Sequence, residues 1–164
     1  DKPISLEKNY WMDTINDVLY SGSEKEKENM LRNVADLLDE AADAGTPVDL
    51  RNDDDMTMLN QILFQCKMDT NPKSTSFAVP FLKRILSHVK DWQAHIQYDK
   101  SDETWNTPLG WITWHDDTDY PISIPLLPYL FKRGYPLPAV ERTVVPDKVL
   151  EAWDKIAGYN GRLR

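Results

Sequence analysis

The chain has 164 residues, a net charge of −8 and an isoelectric point near 4.8, with 41% hydrophobic and 28% charged residues. That balance fits one globular domain able to bury its own core without a disulfide or a metal. The acidic excess repels a phosphate backbone and disfavours a nucleic-acid grip, and no apolar run approaches the roughly 20 residues of a membrane span.

The single cysteine, Cys66, rules out an internal disulfide and fits a reducing, cytoplasmic setting. The chain opens on Asp1 rather than on methionine, which leaves room for a leader removed upstream.

Apolar residues at helical spacing predict a helix over 5–20, with Ser5 as N-cap and Ser21-Gly22 as its end. A second is expected over 23–44, where Met30, Leu31, Val34, Leu37, Leu38, Ala41 and Ala42 recur, with Gly45 and Pro47 beyond its end. Residues 48–56, rich in aspartate, read as a turn, and the dense apolar run 57–66 as a short buried helix. A polar loop over 67–75 leads to a helix over 77–90, followed by a polar, turn-like stretch over 96–106. Residues 107–115 repeat the short-helix pattern, and 123–133 form an apolar helix closed by Gly134. A last helix fits 146–157, and the glycine-bearing tail 158–161 is expected to fray. No segment alternates convincingly enough for a strand.

Two features recur along this series. Thr57-Met58-Leu59 and Thr107-Pro108-Leu109 each open a short helix after an acidic turn. Val79-Pro80-Phe81-Leu82 and Ile124-Pro125-Leu126-Leu127 then read as starts of the longer helix behind each. Leu38, Gly45, Val48, the turn 52–55, Thr57 and Leu59 also fall in a fixed order. That order resembles the junction of ankyrin repeats, in which a threonine caps the first helix and a proline occupies its first turn. The second junction matches at Ile96 and Thr107-Pro108-Leu109, and the third keeps Leu130-Phe131, Gly134 and Leu137. Asp55 and Trp105 replace the turn glycine of the family, and Asn60 and Gly110 replace the histidine that follows Thr-Pro-Leu. The repeat spacing also exceeds the usual period of roughly 33 residues.

The resemblance implies an all-α fold, a short ankyrin-like α-solenoid of about four helical pairs with long loops. Capping helices would lie in 1–45, central repeats in 46–134 and a C-terminal cap in 135–164.

It also implies a protein-binding role without catalysis, through a concave wall built of turn tips and short helices. The matching positions are Asp53, Asp54, Met56, Phe64 and Gln65 in one repeat, and Glu103, Thr104, Trp105, Asn106, Trp114 and His115 in the next. An acidic rim around Met, Phe and Trp would suit a basic or mixed partner surface. A small acidic module of this kind could act as an inhibitor, for instance a bacterial toxin-immunity protein, or as a host-directed effector or adaptor fragment. The free chain is expected to be a monomer.

Other chemistry is thinly supported. His88 and His95 lie seven apart without a third ligand and read as surface residues, so neither metal nor cofactor is expected. His115 with Asp116 could pair as acid and base in a small hydrolase. Asp53-Asp54-Asp55 lacks the alternating ligands of a calcium loop. Trp11, Trp111 and Trp153 are expected to face the core and Trp114 the wall, unless the loop 117–121 folds back over the tryptophans.

Overall fold

Threonine followed by a dense apolar run sets up each short helix. The Thr57 hydroxyl accepts the Asn60 N–H at 3.1 Å, and the Thr107 hydroxyl accepts the Gly110 N–H at 3.2 Å. Each satisfies an amide that the first turn leaves without a partner. The computed structural model, which describes residues 24–43, 56–65, 72–99 and 104–162, is mostly helical.

In chain order, α1 is Glu24–Asp43, α2 Met58–Gln65 and α3 Pro72–Leu86. A 3-10 turn, Trp92–His95, leads to strands β1 (Gln97–Asp99) and β2 (Thr104–Asn106). Then come α4 (Pro108–Trp114), α5 (Ser123–Lys132), a single turn α6 (Ala139–Arg142) and α7 (Asp147–Arg162). The short helices α2 and α4 pack on each other, while α1 packs on α3, α3 on α5 and α5 on α7. Leu38, Leu59, Ile62, Leu82, Ile85, Leu109, Ile112, Leu126 and Leu130 are buried in the resulting core. The predicted helix over 5–20, with Trp11, and Cys66 lie outside the described residues.

Four expectations need correction. Helix α3 begins at Pro72, inside the stretch read as a loop, and ends at Leu86. Pro80 therefore sits inside the helix, not at its start, with its ring exposed. The stretch read as turn-like holds an antiparallel hairpin pairing Gln97 with Asn106, Tyr98 with Trp105 and Asp99 with Thr104. Strands of three residues are too short for alternation to show in sequence. His95 is buried rather than on the surface, at 1% exposure. Finally, α7 continues through the expected frayed tail to Arg162.

Arg133 closes the C-terminal end of α3. Its guanidinium donates to the carbonyls of Leu86 and Val89, both at 2.6 Å, and lies 5.6 Å from the Trp92 ring centre. Helix α5 itself ends in a Schellman pattern. Gly134, at φ 80°, donates to Phe131, and Tyr135 donates to Leu130. On the outer side, Arg84 reaches Asp36 at 2.6 Å and Asp39 at 2.5 Å, and His88 Nε2 lies 2.6 Å from Asp39, tying α3 to α1. The Arg84 hydrogen bond, chiefly, holds the Asp39 carboxyl below its ordinary range.

Each threonine cap is completed by a later segment. His95 Nδ1 lies 3.0 Å from Thr57 Oγ1, and Asn60 Nδ2 donates to the His95 carbonyl at 2.8 Å. At the second cap, the Leu109 N–H points at Glu141 Oε1, 3.1 Å away, and at the Tyr135 hydroxyl, which itself donates to Glu141. Glu141 is fully buried. Burial raises its pKa from 4.5 to about 7, against the hydrogen bonds from Tyr135, Thr107 and the backbone that lower it. Burial likewise pushes the Tyr135 hydroxyl well above its usual value.

The folded state thus holds the Glu141 proton more tightly than the unfolded chain does. The associated stability is present below about pH 4.5 and is lost as pH rises to about 7. Urea unfolding across this window should show wild type losing roughly 3 kcal/mol relative to Glu141→Gln, which does not titrate. A difference that stays flat with pH would show that Glu141 does not carry this proton.

Candidate functional site

The C-terminal ends of α2 and α4 lie together because the two helices pack side by side. Phe64 near the end of α2 meets Trp111 edge-on, with ring centres 4.9 Å apart. It also stacks with Trp114 at 6.2 Å and 28° between planes. Trp111 and Trp114 are themselves 5.3 Å apart. The three-residue step along α4 leaves Trp111 half-buried and Trp114 65% exposed, the larger exposure of the two large hydrophobic side chains open to solvent among the described residues. Large exposed aromatics of this kind are characteristic of contact anchors.

His115 fixes the cluster to α2. Its Nε2 donates to the Phe64 carbonyl at 2.7 Å, at the helix C-terminus where carbonyls lack intrahelical partners. Its ring lies 5.2 Å from that of Trp114.

Asp116 organises the following loop. Its carboxylate accepts from Ser123 N at 2.6 Å, Ser123 Oγ at 2.7 Å, Ile122 N at 3.1 Å and Asp117 N at 2.8 Å. It therefore caps α5 across the loop. The hydrogen bonds of His115 and Asp116 thus fasten two helix ends.

The loop does not cover Trp114. Instead it forms one side of a cleft of about 550 Å³ beside it. Trp111, Trp114, Asp116, Asp117, Tyr120 and Val144 are among the lining residues. Tyr120 adopts a left-handed backbone at φ 51°, a conformation that costs a non-glycine residue on the order of 1 kcal/mol.

Of the wall positions expected from sequence, Phe64, Trp114 and His115 come together. Met56 and Asn106 are half-buried and do not line the cleft. Asp53, Asp54 and Glu103 lie outside the described residues, and for Gln65, Thr104 and Trp105 the backbone alone is described. Trp111, expected to face the core, is half-buried and lines the cleft, whereas Trp153 is buried as expected. Tyr120 and Val144 carried no local signal; they reach the cleft through the loop and the segment after α6. Among the described residues, no cluster of His, Cys, Asp and Glu could hold a metal ion, and no helix is long and apolar enough to cross a membrane.

Comparison with protein-family models, with curated proteins and with solved structures finds no significant match for this chain.

The two neighbouring aspartates should separate cleanly on substitution. Asp116→Ala should destabilise the fold by about 1–2 kcal/mol in urea unfolding, because it removes the cap of α5. Asp117→Ala, exposed and outside that cap, should stay within about 0.5 kcal/mol of wild type. Equal effects would mean that Asp116 does not act as a cap.

Proposed function

We propose that this chain is a non-catalytic protein-binding module of ankyrin-like build, and that its contact surface centres on Trp114. The observation that carries the reading is the 65% exposure of Trp114 on an aromatic platform made by Phe64 and Trp111. A free domain that leaves a tryptophan so open beside a cleft has a ready anchor for a partner.

The ankyrin-like part rests on the order of packing. Short helices meet short helices, long helices meet long ones, and a threonine opens each of the two short helices. A stack of this kind offers its short helices and hairpin tips along one face. Asp53, Asp54 and Glu103 would add the acidic rim, which steers a basic or mixed partner and acts chiefly on the rate of encounter. Inhibition of a toxin, as by an immunity protein, is the setting that best suits a small acidic binder.

Paired measurements of melting and affinity on Trp114→Ala test this, with the partner recovered from source lysate. Affinity should fall about 30-fold or more, corresponding to ~2 kcal/mol, while stability changes by less than about 1 kcal/mol. Trp153→Ala, a core truncation, should instead cost roughly 3–5 kcal/mol of stability. Loss of stability in Trp114→Ala with unchanged binding of the folded fraction would remove Trp114 from the contact surface.

A further inference from the structure

The cleft beside Trp114 carries a chemical bias that the exposure of the indole alone does not. Among the described residues its lining includes the carboxylates of Asp116 and Asp117 and no lysine or arginine. Asp116 is held by its four donors, but Asp117 is exposed, and Oδ1 accepts only the adjacent Thr118 N–H at 2.7 Å. Lys148, two residues past the cleft-lining Pro146, is held by Asp119 at 2.9 Å. The whole chain adds a net charge of −8. Aromatic faces, an outward carboxylate and an apolar wall that includes Val144 therefore meet in one concavity.

Resting on the reading of this face as a protein-binding surface, we infer that the cleft receives an arginine side chain of the partner. The guanidinium stacks on the exposed indole of Trp114 and hydrogen-bonds to Asp117, while its aliphatic stem lies along the apolar wall. Arginine fits this combination better than lysine. Its planar, weakly hydrated head can stack on an indole and donate to a carboxylate at once, whereas an ammonium acts as a compact, strongly hydrated point charge. A purely apolar anchor would leave Asp117 without a complementary charge and in part desolvate it.

Three blocked tripeptides differing in one side chain separate these alternatives: acetyl-Gly-Arg-Gly-amide, its citrulline counterpart, which has the same shape without the charge, and its norleucine counterpart. Each is titrated into the ¹⁵N-labelled protein while the indole N–H resonances are followed, assigned by single Trp→Phe variants. The arginine peptide should shift the Trp111 and Trp114 signals and leave those of Trp92 and Trp153 in place. It should bind about five-fold tighter than the citrulline peptide. That advantage should shrink in Asp117→Asn and in high salt. Equal binding of the three peptides, abolished by Trp114→Ala, would overturn the arginine assignment and leave the aromatic surface standing. Absence of any shift with all three would remove both.

Discussion

The Thr57 and Thr107 hydroxyls sit at the starts of the two short helices, and neither is secured by its own helix alone. His95, from the 3-10 turn after α3, closes over Thr57, while Glu141 and Tyr135, from beyond α5, hold the Leu109 amide beside Thr107. Each short helix is thus fixed at its N-terminus by a segment that follows it in the chain. The helix axes and rotations set there decide where the opposite ends point. Phe64 and Trp114 lie at or near those opposite ends, with Trp111 midway along α4, so the aromatic platform depends on polar contacts up to about one helix length away.

The residues three positions past the two threonines take part in the same contacts. The Asn60 side chain reaches the His95 carbonyl, and the imidazole at Thr57 comes from the same later segment. Gly110 stands at the equivalent place in α4. A Cβ there would lie 2.4 Å from Thr107 Oγ1, so the hydroxyl that caps the helix occupies the space of a side chain.

Much of the helical pattern could be read from sequence because its signals are local. Buried positions such as Val34 and Leu38, the Thr-x-Leu starts and the Gly134 stop are all set by neighbours within a turn or two. What escaped was set at long range or was too short to show a period. The hairpin 97–106 has three-residue strands, α6 is one turn, and Pro80 looked like a helix start although its exposed face lets it sit mid-helix. His95 is polar in sequence, and its burial goes with partners such as Thr57 and Asn60 that lie more than 30 residues away. The site divides in the same way. The exposure of Trp114 follows from a three-residue step along α4, whereas the cleft needs Tyr120 and Val144, brought in by the path of the chain after Asp116.

Tyr120 sets backbone ease against packing and shape. Its positive φ suits glycine, so exchange for glycine would ease the backbone while giving up the packing of the ring against the core. The ring that helps line the cleft would be lost with it. The one side chain thus holds a wall of the cleft and a patch of the core together, and a glycine at position 120 would flatten the surface next to Trp114 and loosen the packing beneath it.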